Sequence, residues 1–76
     1  IQSMEFSPAT LTVSTNTKVT WTNKDAVVHN VTSTTGLFSS GSLNNGATYS
    51  FTFTSAGTYN YLCTIHPTMT AKIIVQ

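Results

Sequence analysis

Arginine is absent from the 76-residue chain and charge of either sign is scarce: three lysines, two acidic residues and a formal net charge of +1. A surface that tracks phosphates needs clustered Lys and Arg, so nucleic acid is excluded as a partner. Cysteine occurs once and histidine twice, which rules out an internal disulfide and the paired-cysteine zinc sites. No run approaches the roughly 18 apolar residues of a membrane helix, so the chain is expected to be soluble and not itself transmembrane. It starts at Ile1 with neither an initiator Met nor a basic-plus-apolar leader; the expectation is a processed or trimmed form whose signal peptide or anchor has been removed. At this length one domain over residues 1–76 is expected, with a core that alone gives marginal stability. A bound metal, a partner chain or tight all-β packing would have to add to it.

Helical spacing is also missing. Period-two alternation recurs instead along the whole chain. Leu11 and Val13 alternate with threonines, Val19 and Trp21 with Lys18, Thr20 and Thr22, and Tyr49, Phe51 and Phe53 with Ser50, Thr52 and Thr54. Tyr59, Tyr61 and Cys63 share one face of a further run, and Ala71, Ile73 and Val75 one face of the last. Thr, Ser and Asn supply the polar surface, and threonine favours strands. Turn signals at Ser7-Pro8, Thr15-Asn16, Asn23-Lys24-Asp25, Asn44-Asn45-Gly46 and Ser55-Ala56-Gly57 separate the runs. The spacing predicts an all-β sandwich or barrel. Residues 32–43 are the least regular and are expected to cross between sheets.

The rare residues coincide. The single cysteine, one of the two histidines and one of the two methionines fall in the run Tyr61-Leu62-Cys63-Thr64-Ile65-His66-Pro67-Thr68-Met69. The strand phase puts Cys63 at the end of a strand on the inward face, with His66 and Met69 in the turn that follows. Pro67 stiffens that turn by fixing its own φ. His29 is expected to reach the same point from a strand over 26–32. A thiolate, two imidazoles and a weak thioether suit one copper ion. Taken singly, each residue has a bland reading as core or structure, but their coincidence reverses the odds. Zinc prefers four strong ligands, and a Cys-His nucleophile lacks room for a substrate cleft in so short a chain. Asp25 is the only acidic residue near either histidine. Asn30-Val31-Thr32 matches a glycosylation acceptor, but a residue beside His29 on an inner strand should be buried.

At this point the chain resembles the cupredoxins, the plastocyanin-like type 1 blue copper proteins, over nearly its whole length. Phe6 to Val13, Val19 to Asp25 and His29-Asn30-Val31 look like the family's opening strands and first copper histidine. Gly57 to Cys63 and Ile65-His66-Pro67-Thr68-Met69 look like its ligand loop, with the compact Cys-x-x-His-x-x-Met spacing of the amicyanin-like members. The resemblance implies a Greek-key β-sandwich and a single copper that shuttles electrons between redox partners. His29, Cys63 and His66 would be equatorial ligands and Met69 the axial one. Asn30 matches the position whose backbone N–H donates to the cysteine sulfur and whose side chain ties the two ligand loops. The place of action would be periplasmic or otherwise extracytoplasmic.

Ile65 stands where amicyanin-like members have proline, so it restores an N–H expected to donate a second hydrogen bond to the Cys63 sulfur. Ala71 stands where the family commonly has glycine. Rigid ligands would suit both copper oxidation states. His66 is expected to be the partly exposed electron port of a monomer, with Ile65, Pro67, Leu37 and Phe38 forming a weak docking patch for transient redox partners. The alternatives are a copper delivery or storage protein, and a domain cut from a larger multicopper enzyme. The chain alone is expected to carry electrons rather than catalyse.

Overall fold

The computed structural model describes residues 1–76 and contains strands and no helix. Six strands form: β1 Thr10–Val13, β2 Thr17–Thr22, β3 Thr32–Ser33, β4 Thr48–Phe53, β5 Gly57–Leu62 and β6 Thr70–Val75. One sheet runs β1-β6-β5-β3 and the other is the pair β2-β4. β1 lies parallel to β6, which a simple up-and-down order would not give, and the remaining pairs are antiparallel. The result is one of the two forms that the alternation and turn signals predict, a sandwich of two sheets, in the Greek-key arrangement that the resemblance implies.

The alternating residues do what their phase requires. Trp21 of β2 and Tyr61 of β5 meet across the sandwich edge to face, with ring centroids 5.5 Å apart, an arrangement that aromatic quadrupoles favour. Phe53 and Ile73 are each 1% exposed. Ala71 lies within β6 opposite Tyr61, so no left-handed residue is required at that position. The Asn44-Asn45-Gly46 turn does use its glycine: Gly46 has φ 83°, and its N–H donates to the Asn23 carbonyl at 2.6 Å. A side chain there would be strained.

Two expectations need correction. Residues 26–31 form no strand. His29 makes only an isolated bridge to Leu43, because Leu43 itself sits in an irregular stretch and offers no continuing ladder. Phe38, expected on the surface, is 4% exposed; its ring packs 5.0 Å from Phe51 and 5.8 Å from Trp21. The irregular 34–42 segment turns that ring inward, and the hydrophobic gain of burying it holds the segment down. Leu37 remains half exposed beside it.

Candidate metal centre

β5 ends at Leu62, and Cys63 follows as the first residue of the turn to β6. The turn is closed by its own backbone. Cys63 N–H donates to Met69 O at 3.1 Å, His66 N–H to Cys63 O at 3.1 Å and Met69 N–H to His66 O at 2.9 Å. Those three bonds hold the Cys-x-x-His-x-x-Met segment in one shape. Met69 is buried and Cys63 completely so, whereas His66 is half-buried.

His29 arrives from the other side. Its backbone is locked to Leu43 by a reciprocal pair, His29 N–H to Leu43 O at 3.1 Å and Leu43 N–H to His29 O at 2.7 Å. Its side chain is 0% exposed. His29 Nδ1 lies 3.7 Å and His66 Nδ1 3.8 Å from Cys63 Sγ, and the three donor atoms all fall within 4.8 Å of one another. These separations fit a single ion. Bonds of the length a d-block metal makes to His and Cys, set at 120° in a plane, put nitrogen and sulfur about 3.8 Å apart. The donor set is soft on the sulfur side and intermediate on the imidazole side, which favours copper over the hard cations.

Asn30 ties the two approaches together. Its backbone N–H donates to Cys63 Sγ at 3.4 Å. Its side chain donates through Nδ2 to Thr64 Oγ1 at 2.7 Å and accepts at Oδ1 from Thr64 N–H at 3.0 Å and Thr32 Oγ1 at 3.0 Å. With the side chain buried and so engaged, Asn30 is no glycosylation acceptor. Ile65 departs from expectation. Its N–H makes no hydrogen bond to the sulfur; the turn is closed by the His66 N–H on the Cys63 carbonyl, and the Ile65 side chain is 49% exposed.

Sequence reasoning noted Asp25 as the one acidic residue near a histidine and Asn23 as a turn residue, but gave neither a role at the site. Asp25 Oδ2 lies 2.8 Å from His29 Nε2. Asn23, 0% exposed, donates to the carbonyls of Val27 and Leu43 and accepts from Asp25 N–H. The signal that could have found them is an Asn-x-Asp turn four residues ahead of a histidine. Asp25, His29 and Cys63 thus have the connectivity of a nucleophilic triad. Complete burial of the Cys63 sulfur keeps a substrate from reaching it.

The plastocyanin/azurin family of copper-binding proteins matches residues 1–76. The chain belongs to that family, whose fold and metal it shares. It is 38% identical over 81 residues to amicyanin of Paracoccus denitrificans, covering all of this chain and 62% of that protein. It is 36% identical over 86 residues to amicyanin-alpha of Methylorubrum extorquens, covering all of this chain and 68% of that protein. The chain therefore spans 62% of the length of the first of these relatives. A reduced tryptophan-to-tyrosine variant of amicyanin superposes with a TM-score of 0.95 at 36% identity, over all of this chain and 77% of the other. A purple cupredoxin from Nitrosopumilus maritimus superposes with a TM-score of 0.90 at 35% identity, over all of this chain and 86% of the other.

Proposed function

We propose that the chain is a small electron carrier of the blue copper type, with His29, Cys63 and His66 as the strong ligands and Met69 as the weak axial one. The observation that carries this reading is the convergence of three donor atoms from two separate chain segments at spacings that fit one ion. Bound copper would supply a one-electron Cu(II)/Cu(I) couple. What the protein contributes is rigidity. The bonds among Cys63, His66 and Met69, the His29–Leu43 pair and the Asn30 clamp hold the donors without help from the metal. Ligands that do not move between oxidation states suit a shuttle. Asn30 N–H, donating to the sulfur, draws electron density from it and tunes the couple.

The port in this proposal is the exposed part of His66. Ile65 beside it, and Val27 and Val28 just ahead of His29, leave large apolar side chains in solvent. They would form a small docking surface for transient redox partners. With three lysines and two acidic residues in the whole chain, docking should depend little on salt. A monomeric, extracytoplasmic protein is part of the same proposal and rests on the family; no helix here is long and apolar enough to cross a membrane.

Titration with Cu(II) followed by visible and electron paramagnetic resonance spectroscopy tests the reading. One equivalent should produce an intense thiolate-to-copper band that Cys63→Ser abolishes, and a colourless adduct would defeat it. Cycling the loaded protein between oxidation states separates the alternatives. An electron carrier keeps its copper through reduction and reoxidation, whereas a delivery protein releases it in one of the two states.

A further inference from the structure

Both ring nitrogens of His29 are engaged. Nδ1 faces the Cys63 sulfur at 3.7 Å, and Nε2 lies 2.8 Å from Asp25 Oδ2. The ring is wholly buried, so water cannot substitute for either partner.

Asp25 is itself held from three directions. The N-terminal turn folds over its carboxylate: Ser3 N–H donates to Oδ1 at 2.7 Å and Met4 N–H to Oδ2 at 2.9 Å. Ser3 and Met4 both have positive φ, 56° and 61°, which non-glycine residues seldom adopt. Positive φ at both central residues is the mark of a type I′ turn, and here the two adjacent N–H groups both reach the one carboxylate. Reciprocal bonds between Gln2 and Glu5, at 3.0 and 3.1 Å, close the turn. The Asp25 backbone is pinned as well, its N–H donating to Asn23 Oδ1 and its carbonyl accepting from Asn45 Nδ2, each at 2.9 Å. The carboxyl group next to the histidine therefore has little freedom to swing.

The geometry points to Asp25 as a positioning residue for the copper centre: its carboxylate takes the Nε2–H of His29, fixes the tautomer that turns Nδ1 to the metal, and lowers the reduction potential. A carboxylate on the far nitrogen makes an imidazole a more basic ligand and orients its ring. A more basic ligand favours the more highly charged oxidation state. The N-terminal turn enters the same chain of contacts, since the N–H groups of Ser3 and Met4 hold the carboxylate that holds the ring. This inference rests on the copper reading, and the two fail differently.

In the metal-free protein, nitrogen-15 NMR of the ring reads the Asp25 contact alone. A slowly exchanging, downfield Nε2–H on His29 is expected. An unprotonated Nε2, or an Nε2–H in fast exchange, overturns the assignment whatever copper does. In the copper-loaded protein, Asp25→Asn keeps the shape and removes the charge. Copper stoichiometry should persist, the potential should rise and the Nε2–H resonance should move upfield; Asp25→Glu should recover part of both changes. Glu5→Gln removes the same charge from the same turn without touching His29, and should leave the resonance and most of the potential as they were. An unchanged potential in Asp25→Asn, or an equal rise in Glu5→Gln, reduces Asp25 to a general field or a structural cap and overturns the proposal. Failure of the native chain to develop colour with copper defeats the metal reading instead, and leaves the metal-free NMR result standing.

Discussion

At the scale of single residues, the centre depends on how few atoms are left to choose. Cys63 is buried and takes one N–H from Asn30; His29 is buried and divided between the sulfur and Asp25. A buried polar side chain must find partners or cost stability, and the partners Asn30 finds are those that join the two ligand segments. Asn30→Ala would strip Thr64 N–H and the Thr64 and Thr32 hydroxyls of their partner, while the backbone N–H to the sulfur would remain. The expected cost is about 1–3 kcal/mol, as for polar groups left unsatisfied in a partly buried place, read by chemical denaturation of the metal-free protein. Copper should also leave faster under a chelator competitor. A variant as stable as the parent, releasing copper at the parent's rate, would show that the clamp holds nothing.

At the scale of elements, the weak point is the edge of the smaller sheet. β2 pairs only with β4, and its other edge borders a cleft lined by Ile1, Phe6, Leu11, Val19 and Trp21 among others. Ile1 already sits there in register. Its α-ammonium donates to Thr22 O at 2.7 Å, and Lys24 N–H donates to Ile1 O at 2.8 Å, the offset of a parallel bridge opposite Asn23. A short segment of alternating Val and Thr joined ahead of Ile1 should run along β2 and cover the exposed edge. Thermal melts should rise, by about 4–8 °C for each kcal/mol at this size, and the amides on that edge of β2 should exchange more slowly. A Gly-Ser segment of equal length should do neither; equal effects from both would exclude strand pairing.

At the scale of the whole molecule, the metal and the fold support each other unequally. The donors already stand at copper spacing in a fully hydrogen-bonded frame, so the metal-free chain should stay folded, unlike a zinc finger that needs its ion to fold. Copper that binds the native state in preference to the unfolded one stabilises the fold by mass action. At a hundredfold excess over the dissociation constant it adds about 2.7 kcal/mol, a large share of the roughly 5–15 kcal/mol available to a small domain. Calorimetry of loaded and metal-free protein should show a melting temperature higher by on the order of 10–20 °C when copper is bound. Equal melting temperatures would mean that the ion is held too weakly, or equally by the unfolded chain.

What was legible in the amino-acid sequence was whatever depends on neighbours along the chain. The alternation of Val19 with Trp21 and of Tyr49, Phe51 and Phe53 set strand and face, since successive side chains must point to opposite sides. The spacing from Cys63 to His66 set two of the three clustered donors for the same local reason. What lay across the fold was not legible. Nothing near Phe38 says that its ring enters the core while Leu37 stays out, because that depends on the space left between Trp21 and Phe51. Nor does His29 announce that it lacks a strand. A ladder needs a partner, and the partner, Leu43, is supplied from an irregular stretch. Asp25 looked like one more turn residue until the N-terminal turn was folded over it. Composition and spacing alone determined the sheet-forming runs and the kind of metal; the tertiary structure decided which distant groups hold the ligands still, because a hydrogen bond is chosen by distance in space and not along the chain.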